Sequence, residues 1–366
     1  MSSMSEGSGS RCIDRQRSSR LSSFGGRLAV LLCLALLPAC GEQDLEGARQ
    51  VGDGSAEAAP ASLAGAGAGG GERVVEATSL LGEPLYRVEL PGGGREELTV
   101  QLAAAEADLA AAPESADALI WVGRRTAYLG RFREAIQVFG RGVERFPDDP
   151  RFLRHRGHRY ISTRQLEDAV TDLEAAAAMI EGREDEVEPD GIPNERGVPT
   201  SSLHSNIWYH LGLAHYLRGE FEQALRAYHE CLQALDNDDH QVATRYWTYL
   251  TLRRLDRDEE AAGVLSWLDM PRDVHENHSY HQLLRFYRGD LTREELLSDD
   301  SAALDRATLG YGIGAWLLAE GDPEAARAQF EQVLESPVWA AFGYIASEAE
   351  LARMDRAAPD DGADGE

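Results

Sequence analysis

Residues 116–180 read ADALIWVGRRTAYLGRFREAIQVFGRGVERFPDDPRFLRHRGHRYISTRQLEDAVTDLEAAAAMI, and this stretch repeats itself with a register of 34 residues. Gly123 stands 34 before Gly157, Ala135 stands 34 before Ala169, Phe139 is matched by Leu173, and Gly142 by Ala176. Each copy places a Gly in one helical stretch, an Ala early in the next, and a bulky apolar residue four positions after that Ala. Antiparallel helices approach closely only where small side chains meet, and large residues then fill the groove between neighbouring pairs. The period predicts helical hairpins stacked side by side.

Outward from this stretch, residues 205–237 carry the same pattern most fully, with Trp208, Leu211, Gly212, Tyr216, Gly219, Phe221, Ala224 and Tyr228. The spacing resembles the tetratricopeptide repeat (TPR) family, and these residues fall on or beside its characteristic positions. The resemblance implies an all-α, right-handed solenoid of antiparallel helix pairs; it is specific for fold and poor for function. Residues 116–180 form the first two repeats and 205–268 the third and fourth. The fourth is degenerate, with Tyr249 near the place where Gly is usual. Residues 269–354 supply further helix pairs, and Ala340 to Met354 gives a closing helix. Residues 72–115 are expected to hold an extended segment around 85–90 and a capping helix from Arg95 to Ala112. Between the second and third repeats, 181–204 is an acidic insertion with three prolines and no helical period. The acidic tail, 355–366, is expected to be disordered.

At the other end, Arg11, Arg15, Arg17, Arg20 and Arg27 precede LAVLLCLALL at 28–37, and Leu37-Pro38-Ala39-Cys40 follows. A basic segment, a short apolar run and a small residue before a cut describe a secretory signal peptide, too short to span a bilayer. The last four residues resemble a bacterial lipobox. The resemblance implies that 1–39 is removed, that Cys40 is lipidated, and that the chain is anchored at the bacterial cell envelope. A plain signal peptide with an incidental Cys40, or a chain that is not exported, are the alternatives; the long leader also fits a start at Met4 or later. Residues 40–71, rich in Gly and Ala, read as a disordered, flexible tether.

The chain has 366 residues, and 63 Asp and Glu against 36 Lys and Arg give a net charge of −27. That excess argues against general nucleic-acid binding, which calls for a basic surface. The contrast lies at 151–160, Arg151-Phe152-Leu153-Arg154-His155-Arg156-Gly157-His158-Arg159-Tyr160, a dense basic patch. In TPR proteins the first helix of each repeat lines the concave face, through its second, fifth, ninth and twelfth positions. Here the resemblance places Arg151, Arg154, His158 and Ile161 there, with Arg124 from the repeat before and Asn206, Tyr209, Leu213 and Tyr216 from the third. It implies a basic, polar and aromatic groove, and the Arg fork suits carboxylates. Arg124, Arg151, Arg154, His158, Asn206 and Tyr209 are therefore the candidate partner-binding set, for an acidic or carboxylate-bearing protein or peptide. The competing reading pairs these arginines with the acidic insertion, Asp149 or Glu167, so that the patch is satisfied internally and locks a structural scaffold.

A ligand-binding, metal-binding or enzymatic role through the insertion and His158 is the remaining alternative. His275, His278 and His281, with Glu276, are spaced as some Zn ligands are, but Asp273, Asn277 and Ser279 mark a helix start. The segment 185–194 is rich in oxygen ligands without the layout of a Ca²⁺ loop. No nucleophile elbow, Walker loop, zincin motif or dinucleotide fingerprint occurs, so neither catalysis nor a cofactor is expected. Gly310, Gly312 and Gly314 open a repeat helix and are read as packing residues, and the lone Cys231 as a buried thiol.

Overall fold

A computed structural model describes residues 73–88, 92–191, 194, 196–234, 236–296 and 302–357. Cys40, the leader and the tether lie outside the described residues, as does the tail beyond 357.

Helix starts follow the side chains that can satisfy free backbone N–H groups. Ser115 accepts from Ala118 N, Asp149 from Arg151 N, Asn237 from His240 N and Asp322 from Ala325 N. Ser202 and Ser205 form a reciprocal capping box. A β-hairpin comes first, β1 (Val75–Thr78) antiparallel to β2 (Pro84–Tyr86), followed by α1 (Gly92–Ala111). The helix pairs are α2 (Ala116–Tyr128) with α3 (Phe132–Arg145), α4 (Pro150–Ser162) with α5 (Leu166–Ile180), and α6 (Leu203–Arg218) with α7 (Phe221–Ala234). They continue with α8 (Asp238–Arg254) and α9 (Asp258–Leu265), then α10 (His278–Arg288) and the short α11 (Arg293–Leu296). The pair α12 (Ala303–Ala319) and α13 (Pro323–Leu334) precedes α14 (Phe342–Ala357), which runs past the boundary at 354 expected from sequence.

The pairs close on one repeated contact. A Cβ on Gly123 would lie 2.4 Å from Phe139, on Gly157 2.7 Å from Leu173, on Gly212 2.5 Å from Tyr228, and on Gly314 2.5 Å from Phe330. Each partner stands 16 residues after its glycine (139 − 123, 173 − 157, 228 − 212, 330 − 314). A ring, or the Leu173 side chain in the second pair, fills the space that a side chain would need, so these crossings tolerate only hydrogen at Cα. In the degenerate fourth pair, Tyr249 stacks on Tyr287 with centroids 4.6 Å apart.

The array turns back on itself. Trp339, just before α14, donates its indole N–H to Tyr86 O at 2.8 Å and packs edge-on against Phe132. Leu304, Ala307 and Val333 share one apolar cluster with Ala77, Leu85 and Phe139 from the N-terminal side. The sequence leads one to expect α14 as a terminal closing helix. Instead it runs through the interior, and each residue from Phe342 to Ala352 is buried. Phe342 contacts the rings of His158, Tyr209 and His210 on α4 and α6. A Cβ on Gly343 would fall 2.5 Å from Ala307 O, so α14 and α12 touch backbone to backbone. Further along, Glu350 meets Arg254 and Arg353, and Arg353 reaches Leu217 O at 2.9 Å.

Midway along α14, Glu348 is fully buried and Arg164 meets both its oxygens, at 2.9 and 2.8 Å. Arg164 also donates to Ser162 O and Trp339 O, each at 2.6 Å. It occupies the turn position that Gly130 fills one repeat earlier (164 − 130 = 34), and adopts φ +64° beside the glycine's +70°. A side chain in that region costs on the order of 1–3 kcal/mol, which the four bonds of the guanidinium offset. Glu348→Gln leaves that cation buried without its counter-charge, so unfolding free energy should fall by about 3–5 kcal/mol in urea titrations followed by circular dichroism. A loss within error of zero would show that the pair does not hold α14 in place.

Candidate functional site

Residues 151, 154, 155, 158 and 159 recur at helical spacing, which gathers a cationic and aromatic face on α4. The insertion folds over that face. Val187 bridges Ser202, Glu188 N donates to Ser201 O at 3.1 Å, and Leu203 N donates to Glu186 O at 2.9 Å. This short ladder sets Glu188 above the patch. Arg154 Nε lies 3.2 Å from Glu188 Oε2 and His155 Nε2 lies 3.3 Å from Oε1. Asn206 Nδ2 donates to Oε2 at 2.9 Å. Arg154 Nη1 stands 2.9 Å from His155 Nδ1. A guanidinium can only donate, so Nδ1 accepts and the ring proton sits on Nε2, facing the carboxylate.

The next residues are held by their backbone. Arg124 Nη1 donates to Pro189 O at 2.8 Å, and Arg125 Nη1 donates to Gly191 O at 2.9 Å. A Cβ on Gly191 would sit 1.6 Å from the Tyr128 hydroxyl, so only glycine permits this approach. Between Glu188, Asp190, Arg124, Arg154, His158 and Arg159 remains a cavity of about 50 Å³, roomy enough for ordered water. Asp190 has its carboxyl raised by burial, against the opposing pull of Arg124.

The six residues singled out from the sequence divide here. Arg124, Arg154 and Asn206 converge on 188–189. His158 is buried beneath them, its ring 4.2 Å from that of His210. Arg151 stays at the edge, bonded to Asp149 and, one repeat back, to Asp117 at 2.7 Å. Tyr209 is 1% exposed and accepts a hydrogen bond from Trp247 Nε1, so it is a core residue and not a groove surface. An open groove over these positions is therefore replaced by a filled one: α14 and the insertion pack directly on the first helices. That packing also brings in residues the inward-position rule omits, namely His155, Arg159, Arg125 and Glu188. The available signal was the opposition of charge between 151–159 and 184–190.

Elsewhere, His275, Glu276 and Asn277 donate backbone N–H groups to the buried Asp239 carboxylate, which shapes the approach to α10. Glu276 accepts from Asn194 and Thr200, and so pins the far side of the insertion. Cys231 is buried, and burial pushes its thiol up to about 12, far from a reactive thiolate.

These features define an α-helical repeat protein whose interior is occupied by its own last helix and whose basic face is covered by its own insertion. Residues 205–238 match the family model of the tetratricopeptide repeat. The same 16-residue contact recurs in four helix pairs, glycine against an aromatic ring in three and against Leu173 in one, so the chain carries a tetratricopeptide repeat at 205–238 and further helix pairs built like it. Among solved structures it is similar to a tetratricopeptide repeat protein from Parabacteroides merdae, at 16% identity and TM-score 0.44, over 70% of this chain and 93% of that one. It is also similar to YrrB, described as a TPR protein with an unusual peptide-binding site, at 13% identity and TM-score 0.36, over 69% and 97% of the two chains. MamA aligns at 14% identity and TM-score 0.36, over 54% of this chain and 89% of its own. No curated protein matches the chain in sequence.

His155, His158 and His210 share one electrostatic fate. Burial drives all three well below the ordinary histidine value of 6.5, and Arg154 or Arg159 beside each pushes the same way. The unfolded chain therefore takes up protons below about pH 6.5 that the folded chain refuses, and stability falls as pH drops through that value. Each neutral histidine loses about 1.4 kcal/mol per pH unit, an upper bound of about 4 kcal/mol for the three between pH 6.5 and 5.5. The urea midpoint should drop between pH 7.5 and 5.5, and His210→Gln should flatten the slope. For Glu350, burial would raise the carboxyl, but Arg353 and Arg254 hold it below its usual range, so its loss comes at more acid pH. A midpoint that stays constant from pH 7.5 to 5.5 would contradict this account.

Proposed function

We propose that the protein is a non-catalytic interaction scaffold, held at the bacterial cell envelope by lipid on Cys40, that binds an acidic segment of a protein partner. The single observation that carries the binding part is the grip on residues 188–191. Arg154, His155 and Asn206 meet one carboxylate, while Arg124 and Arg125 take two backbone carbonyls. Side chains arranged this way recognise an extended acidic peptide through charge and main chain together. The envelope part rests on the leader and the four residues ending at Cys40, which lie outside the described residues.

A second reading has its own support, since the same contacts leave Glu188 nearly buried and satisfy the patch from within. The two separate on a partner. Full-length protein isolated with its envelope neighbours should lose an acidic partner when Arg154 is changed to Gln or Arg124 to Ala, with the chain still folded by circular dichroism. The substitution Arg151→Gln, at the half-buried edge of the patch, should leave capture unchanged. A partner retained at low salt by both Arg154→Gln and Arg124→Ala does not use this site. For the anchor, Cys40→Ala should move the chain from the membrane fraction to the soluble fraction; membrane association that survives the change rules out lipid on Cys40.

A further inference from the structure

The binding reading leaves open why the basic face is already filled. The cover is built unlike the rest of the molecule. Residues 184–187 and Pro189 are exposed, and Val187, the apolar side chain of this stretch, is 62% exposed. No apolar side chain in 184–190 enters the core, so what holds 188–191 down is one carboxylate, the backbone bond from Glu188 N to Ser201 O, two carbonyl bonds and the close seat of Gly191 against Tyr128. Segments with few buried apolar contacts open at low cost, whereas the helices beneath carry the core. The ladder at Val187 and Ser202 and the contacts of Glu276 with Asn194 and Thr200 flank the segment and do not involve the Glu188 carboxylate. Lifting 188–191 would leave both flanks anchored and uncover Arg124, Arg125, Arg154, His155 and Asn206 together.

We infer that residues 188–191 are a ligand held in cis, and that the site takes an extended acidic partner segment of the form Glu-x-x-Gly by exchanging it for Glu188-Pro189-Asp190-Gly191. The inference rests on the acidic-partner reading above and adds the ligand's form and its regulation. Glutamate is specified by the convergence of Arg154, His155 and Asn206 on one carboxylate. Glycine three residues later is specified by the Tyr128 hydroxyl, which excludes any Cβ. The residue after the glutamate contributes only its carbonyl, to Arg124, and the glycine only its carbonyl, to Arg125. The cis segment lowers apparent affinity for the partner by the fraction of molecules in which the site is free.

The test uses the full chain and a fluorescently labelled peptide of residues 184–191, EDEVEPDG, followed by anisotropy. Glu188→Ala removes the cis carboxylate, and Gly191→Ala lifts the cis segment while keeping every charge, so either variant opens the site if the other folds poorly. With the site closed in about nine molecules of ten, both variants should bind the peptide about tenfold more tightly than the wild type. Adding Arg154→Gln to either should abolish that binding, and a peptide with alanine in place of its Gly191 should not bind. If the wild type binds the peptide as tightly as the opened variants, cis exchange is wrong while the acidic-peptide site stands. If no folded variant binds it, both the exchange and the acidic-peptide reading fall, and the segment is a structural cover.

Discussion

A helix in the interior of a solenoid must bring its own polar partners, and in this protein one buried ion pair meets that requirement. Glu348 lies in the middle of α14 with no exposure, and an isolated carboxylate there would be intolerable without a cation in contact with it. Arg164 supplies the cation from a turn whose geometry favours glycine. The same carboxylate accepts from Leu80 N at 3.1 Å, and the same guanidinium bonds Trp339 O. Thus the N-terminal hairpin, the second repeat and the start of the last helix meet at a single point. Specific angles and distances are required there, which apolar packing alone would not impose.

The interior helix takes up the inner face of the array. A helical solenoid ordinarily offers its inner face, but α14 covers α6 and α12, and Phe342 ends against His158 and His210. The basic surface of α4 lies beside that end, and the insertion comes down on it. Every one of the 36 basic residues in the chain is arginine. Arginine keeps its charge when buried and presents several donors in one plane, so Arg154 can touch both Glu188 and His155 while Arg164 bonds three elements.

The hairpins were legible because the helix crossings depend on residue size at fixed spacing. Gly123 and Phe139, or Gly212 and Tyr228, can be paired from sequence once the period is seen. Tyr209 reads as an inward groove residue by the same period, and it does point inward, but α14 makes inward mean buried. The path of α14 was not legible. Its sequence, FGYIASEAELARMDRA, mixes small and charged residues as an exposed terminal helix does. Glu348 and Glu350 declare themselves as core only through arginines 184 and 96 positions away. Likewise the acidic run at 184–190 looks like any solvated loop, since a single member, Glu188, has the arginine and histidine contacts that matter.

Long-range electrostatics also constrain what the basic face can do. With a net charge of −27, the molecule as a whole repels an acidic partner. At physiological ionic strength that repulsion is screened beyond about 8–10 Å, whereas the partly buried Arg154 and His155 contacts are screened far less. The proposed recognition at this site would therefore be a short-range matter, governed by contact geometry more than by attraction from a distance. A segment tied to the same chain starts within that range at an effective concentration near the millimolar level. A free partner of the proposed kind would have to match the carboxylate, the two carbonyls and the glycine to compete with it. On the proposed exchange, selectivity would come from the competition, because a generic acidic surface that lacks this spacing would gain too little to displace residues 188–191.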